Sequence, residues 1–221
     1  MVSNKYAFWQ ALVFTIIIFG VGILLGFVLE GTRSDTIELT LLNSEINLLD
    51  HQLRNQETAN LNISCETSIQ NTFEFADKIF NEARKLEKID QANKFTEILK
   101  VLHKRYDLLR IMLWMESIDV KERCQADFHT VVYFYHYGTE DIAIQAEQAA
   151  LSRLLLDLKD KHGNKIVLIP IAVNLDLEST NLLIEKYKIT KLPAIIIDEQ
   201  KVIEDKPTIE ELENITFNIH K

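Results

Sequence analysis

The two cysteines, Cys65 and Cys124, are the side chains in this sequence with the clearest capacity for covalent chemistry. A cysteine thiolate can attack a disulfide sulfur, and a second thiol within reach then resolves the mixed disulfide. These two cysteines are widely separated along the chain, so only the fold could bring them together. Three states are therefore open for them: a structural disulfide, two free thiols, or a redox pair.

The stretch between the cysteines predicts a helical hairpin over residues 65–124. Apolar residues recur at helical spacing along two runs, 73–86 and 95–113, and we place the turn near residues 89–91. Cys65 precedes the hairpin and Cys124 ends it, so a bond between them would close the hairpin at its base. That bond would constrain a loop of about 60 residues, worth roughly 4 kcal/mol in the chain-entropy model. We expect this structural disulfide.

Residues 128–219 alternate between strand and helix patterns. A β-branched and aromatic strand ends at Gly138, after which Thr139 can cap a helix whose first turn is acidic. Thr208 and Glu211 have the spacing of a capping box. The predicted elements are strand 129–136, a helix from 139 to 162, strand 165–173, helix 180–188, strand 194–197, strand 201–204 and a closing helix after 208.

This order of elements resembles the thioredoxin fold, and the specific match is the segment YKITKLPAIIID, in which Tyr187 ends a helix and Pro193 leads into a strand. The resemblance implies an α/β thioredoxin-like C-terminal domain. In that family the proline is cis, and the backbone of the residue before it pairs with an extended peptide. A trans proline opening an edge strand is the alternative interpretation of Pro193.

The sequence departs from the family where the family's chemistry lies. Laid without gaps on the first strand, the family's Cys-x-x-Cys falls on residues 139–142, which run from Thr139 to Ile142 and contain no cysteine. Tyr133 stands where family members have a buried acid. A threonine hydroxyl cannot replace a thiolate. We therefore expect a redox-inactive domain with no catalytic residue, cofactor or metal ion.

A binding role survives the loss of the cysteines. The resemblance implies a peptide-binding site with Leu192 and Pro193 as one wall. The opposite wall would be built from four residues at the end of the first strand: Tyr135, His136, Tyr137 and Thr139. Main-chain hydrogen bonds to an exposed backbone edge would hold the peptide, as in β-strand addition.

Residues 6–29 are uncharged and almost wholly apolar, and residues 1–5 form a short tail before them. Their 24 residues would span about 36 Å as a helix, enough for a bilayer core. No small-residue cleavage site follows, so we favour an uncleaved signal anchor over a signal peptide. Gly22 and Gly26 form a GxxxG motif, which is compatible with a homodimer in the membrane.

Residues 35–58 predict an amphipathic helix after the anchor. Its apolar positions from Leu39 to Leu53 are spaced three and four residues apart, as in a coiled coil. Packing against later helices of the same chain is the alternative. The net charge of −9 argues against nucleic acid as a partner, because binding to nucleic acid depends on basic residues at phosphates.

The orientation that fits these features has the N-terminus in the cytoplasm and the C-terminal domain outside it, in the cell membrane. The cysteine pair supports it, and so do the glycosylation sequons at Asn62 and Asn214. The leading hypothesis is a single-pass membrane protein that presents a redox-inactive thioredoxin-like domain to an extended peptide or protein subunit. A divergent thiol-disulfide oxidoreductase and a purely structural oligomer are the other two classes.

Overall fold

A computed structural model of the chain describes residues 6, 8–26, 45–46, 49–50, 53, 63–92 and 97–218. The chain is a mixed α/β protein that forms two compact units, Met1–Arg54 and Asn55–Lys221. Most of the predicted amphipathic helix over 35–58 lies outside the described residues. Among those described, Ile46, Leu49 and Leu53 are helical and exposed, and the coiled coil stays a prediction.

The first unit contains one long apolar helix, α1 (Phe8–Gly26). It has 19 residues and a mean hydropathy of 2.3, and its side chains are almost all exposed. At 1.5 Å per residue it is about 28 Å long, close to the thickness of a bilayer core. By length and composition α1 suits either a membrane anchor or a signal sequence.

The second unit opens with two 28-residue helices, α2 (Cys65–Ala92) and α3 (Glu97–Cys124). They pack against each other as the predicted hairpin, but the predicted turn at residues 89–91 is wrong. Those residues lie inside α2, because Ile89, Asp90 and Gln91 include neither the glycine nor the proline that would stop a helix.

The expected disulfide joins Cys65, the first residue of α2, to Cys124, the last residue of α3. Their Cα atoms are 5.4 Å apart, within the ordinary range for a disulfide. Both cysteines of the sequence are thereby used, and no free thiol is left. The bond closes the open end of the hairpin, as the sequence predicted.

A four-stranded sheet follows the hairpin, in the order β2-β1-β3-β4. β1 pairs parallel to β2, while β3 pairs antiparallel to both β1 and β4. The strands are β1 (His129–Tyr135), β2 (Ile166–Ala172), β3 (Ala194–Ile197) and β4 (Lys201–Ile203). The remaining elements are α4 (Ile142–His162), a 3₁₀ turn (Gly163–Lys165), α5 (Glu178–Tyr187) and α6 (Ile209–Asn218).

The structure corrects the predicted N-terminal cap of α4 and confirms the predicted capping box of α6. Asp141, and not Thr139, caps α4: its carboxylate accepts from the amides of Ala143 at 2.8 Å and Ile144 at 3.3 Å. A carboxylate at this position also interacts favourably with the helix dipole. The predicted capping box is confirmed, because the amides of Thr208 and Glu211 donate to each other's side chains at 2.8 and 3.2 Å.

Apolar side chains cover the sheet on both faces. On one face a buried cluster joins the sheet to α4 and α6, and its members are Val131, Tyr133, Leu151, Leu155, Leu158, Ile166, Ile195, Ile197 and Leu212. On the other, Trp114 of α3 meets Phe134 of β1 edge-on, with ring centroids 6.1 Å apart. Burial on both faces explains the continuous apolar runs of β1 and β2.

One end of the sheet is held by a buried acid, Asp198, in the turn between β3 and β4. Its carboxylate accepts from Lys121 at 2.5 Å and from the Thr130 amide at 3.0 Å, and it lies 2.6 Å from Nδ1 of His129. Asp198 and Glu199 both have positive φ, at 47° and 59°. These side-chain contacts hold two non-glycine residues in a backbone region that they rarely occupy.

We expect Asp198→Asn to destabilise the protein by about 3 kcal/mol at neutral pH, because it breaks a buried ion pair. Burial by itself raises the pKa of Asp198, but the hydrogen bonds from His129 and Lys121 outweigh it and hold the pKa below its ordinary value. The carboxylate therefore adds stability above the unfolded-state pKa of about 3.9, and this is lost as pH falls through the lower folded-state pKa. Urea unfolding at several pH values measures this.

The matched control is Asp205→Asn, whose side chain is 99% exposed and 3.8 Å from Lys191. It should cost less than about 0.5 kcal/mol at any pH. An Asp198→Asn deficit that stayed constant down to the most acid folded condition would contradict the assignment.

Removing the disulfide with Cys65→Ser and Cys124→Ser should lower the free energy of unfolding by roughly 4 kcal/mol, since the unfolded chain regains the entropy of its closed loop. Denaturant unfolding of the variant and the parent chain gives the difference. Reducing the parent chain should reproduce the loss, whereas reductant should leave the double variant unchanged. Equal stability of the oxidised and reduced parent would refute a structural role for the bond.

Candidate functional site

The strand register places the two predicted walls of the binding site at the same end of the sheet. Phe134 of β1 pairs with Ala194 of β3. Residues 135–139 continue beyond Phe134, and Leu192 and Pro193 immediately precede Ala194, so both segments leave the sheet at this end. The Leu192–Pro193 peptide bond is cis, as expected. Pro193 is buried, and Leu192 is half-buried.

The remaining candidates, Tyr135, His136, Tyr137 and Thr139, are all half-buried. The ring of Tyr135 stacks on Tyr133 at 5.6 Å, and its side chain hydrogen-bonds with Arg110. Tyr137 lies against His103, with ring centroids 3.9 Å apart. Neighbours within the same unit thus position both rings.

Gln148 of α4 fixes the backbone of His136. Its Oε1 accepts from the His136 amide at 2.7 Å, and its Nε2 donates to the His136 carbonyl at 3.0 Å. In an antiparallel sheet, a neighbouring strand would likewise bind both the N–H and the C=O of one residue. A bound peptide could not use the same backbone groups without displacing Gln148.

Asn174, in the loop after β2, fixes the backbone of Tyr137 in the same way. Its Oδ1 accepts from the Tyr137 amide at 2.8 Å, and its Nδ2 donates to the Tyr137 carbonyl at 2.7 Å. Two successive residues of the β1–α4 loop are therefore each saturated by one amide side chain. The loop is held in one conformation and has no free backbone edge at His136 or Tyr137.

Glu204 fixes backbone amides on the other wall of the site, next to Leu192. Its carboxylate accepts from the amides of Thr190 at 2.5 Å and Lys191 at 3.0 Å. These two backbone hydrogen bonds lower the pKa of Glu204 below its ordinary value. Glu204 thereby anchors the two residues directly before Leu192.

Leu192 differs in this respect from His136 and Tyr137. Within the part of the chain that the structure describes, neither its amide nor its carbonyl has a hydrogen-bonding partner. On either side of it, Pro193 has no N–H to offer and the amide of Lys191 donates to Glu204. A half-buried backbone segment with one donor and one acceptor still available is suited to pairing with an extended chain.

A buried ion pair lies beneath this end of the sheet. Asp107 of α3 accepts from Arg110 at 2.8 Å and from the amide of Ala172, the last residue of β2, at 3.0 Å. Burial raises the pKa of the Asp107 carboxyl, against the effect of Arg110 and of the Ala172 amide. The pair ties α3 to the strand end that carries the site.

The site itself holds no thiol. Only the last of residues 139–142 lies within α4, and none is a cysteine. Cys124 precedes β1, so the disulfide belongs to the opposite end of that strand, about 20 Å away at strand rise. No cluster of His, Cys, Asp or Glu that could hold a metal ion occurs among the described residues.

Sequence reasoning missed Gln148, Asn174 and Glu204, the residues that shape the site. They lie 12, 37 and 14 residues from the backbone groups that they hold. A lone amide or carboxylate at such a distance forms no motif. Local sequence patterns therefore give no signal for these three contacts.

Comparison with known proteins identifies no family. No family model matches the sequence, and no curated protein matches it. A structure described as that of a malarial protein is 16% identical with a TM-score of 0.34, over 42% of this chain and 99% of that one. Oxidised thioredoxin O2 from Arabidopsis thaliana is 16% identical with a TM-score of 0.33, over 49% and 88%. Similarity at this level says nothing about the chemistry of this chain.

We expect Gln148→Met to lower the free energy of unfolding by about 1–2 kcal/mol, because it keeps the volume but removes both hydrogen bonds to His136. The His136 amide should exchange its hydrogen at least tenfold faster, while the Tyr137 amide, held by Asn174, should not change. Gln70→Met, which loses an exposed bond to Glu74, is the matched control and should cost less than about 0.5 kcal/mol. Faster exchange at both amides would show that the loop has simply unfolded.

Proposed function

We propose that this chain is a single-pass membrane protein whose thioredoxin-like domain binds an extended segment of a protein partner without redox chemistry. The observation that supports this best is the available backbone of Leu192, at a sheet end where side chains already hold His136, Tyr137 and the amides of Thr190 and Lys191. An incoming strand would pair with Leu192 between two walls that are already held in place. The cost of ordering those walls has been met in the folded protein, which favours binding.

The proposed topology has the N-terminus in the cytoplasm and residues 30–221 outside it. The length and composition of α1 are compatible with an anchor, and a disulfide is typical of an oxidising compartment. The sequon at Asn214 adds little support, because it lies in α6 and its Thr216 is buried. The sequon at Asn62 lies outside the described residues.

A defined probe tests the binding mode. A library of random 12-residue peptides displayed on phage would be panned against the full chain in lipid nanodiscs, and the selected peptide synthesised with single backbone N-methyl groups. Leu192 offers one acceptor and one donor, so N-methylation at the one peptide position that pairs with it should weaken binding at least tenfold, and methylation at the adjacent positions should not. Fluorescence anisotropy measures the dissociation constants.

Two substitutions locate the peptide. Thr139→Arg, in the wall opposite Leu192, should weaken binding at least tenfold. Leu182→Arg, at a position on α5 whose side chain is 65% exposed, should leave binding unchanged. Binding that tolerates N-methylation everywhere, or that fails equally in both variants, would overturn the proposal. Reduction of insulin disulfides by the same preparation would favour the oxidoreductase instead.

A further inference from the structure

The outer face of α3 carries a row of apolar side chains exposed to solvent. Val101, Leu108 and Met115 are 53%, 39% and 42% exposed, and Met112 beside them is half-buried. A spacing of seven residues is close to two helical turns, so these side chains lie on one face over about 21 Å. The opposite faces of α3 pack against α2 and the sheet. Exposed apolar rows of this kind mark interaction surfaces.

The charges that flank the row change sign along the helix. Lys104 and Arg105 flank its N-terminal half, and Asp119 and Glu122 flank its C-terminal half. Lys104 lies 4.0 Å from Asp176 and Asp119 lies 3.6 Å from Arg123 within the chain. Both pairs are long and partly exposed, so each charge can still attract a charge on another molecule.

We propose that α3 pairs with α3 of a second copy of this chain, antiparallel and related by a two-fold axis between residues 111 and 112. This arrangement sets Leu108 against Met115 of the second copy, with Met112 next to the axis. It also sets Lys104 against Asp119 of the second copy, and the two-fold axis repeats this opposite-charge contact on its other side. A two-fold interface must be self-complementary in this way, whereas a parallel pairing would oppose like charges.

Crosslinking of the full chain in membranes tests the pairing. The native cysteines are both in the disulfide, so an introduced cysteine is the only free thiol. With a short bismaleimide, Met112→Cys should form a covalent dimer. Val101→Cys should not, because the two copies of that residue would lie about 30 Å apart. A mixture of Leu108→Cys and Met115→Cys chains should crosslink heterotypically.

Further substitutions make the result specific. Leu108→Glu should lower the crosslinking of Met112→Cys at least tenfold, while Leu182→Glu, at a more exposed position on α5, should not change it. Lys104→Glu and Asp119→Lys should each weaken the dimer, and the two together should restore it. A monomer with Met112→Cys, equal crosslinking at Val101→Cys, or indifference to Leu108→Glu or to either charge reversal would overturn the proposal.

Discussion

The pairing of β1 with a strand on each side is the constraint on which the rest of the second unit depends. Its central position requires both faces to be apolar, and this is why α3 covers one face while α4 and α6 cover the other. The same pairing fixes what lies at each end of the sheet. The turn after β3 meets the start of β1 through Asp198, and the loop before β3 leaves the sheet next to the end of β1, where Phe134 pairs with Ala194.

At both ends of the sheet, backbone N–H and C=O groups extend beyond the last strand pairing. The two ends differ in how side chains satisfy these groups. At the Asp198 end, the carboxylate and its basic partners close the contact completely. At the other end, Gln148 and Asn174 hold the backbone of His136 and Tyr137, and Glu204 holds the amides of Thr190 and Lys191, but no such side chain holds Leu192. Buried or half-buried backbone is rarely left unpaired in native proteins. The contrast within one sheet is what gives the Leu192 segment its functional interest.

The sequence predicted the order of the elements because period and composition are local signals, as the apolar runs of β1 and β2 show. It predicted the disulfide because Cys65 and Cys124 bracket one hairpin. The hairpin turn was misplaced, because residues 89–91 continue α2 and include neither the glycine nor the proline that would stop a helix. The hydrogen bonds of Gln148 and Asn174 could not be predicted, because they depend on which residues the folded sheet brings together.

The β1–α4 loop is held firmly at one end of the sheet. Gln148 and Asn174 together form four side-chain hydrogen bonds with the backbone of His136 and Tyr137. Each of those bonds fixes backbone that would otherwise be free to move, at a cost in side-chain entropy. This rigidity is consistent with the binding role that we propose, since a rigid surface loses less entropy when its partner arrives.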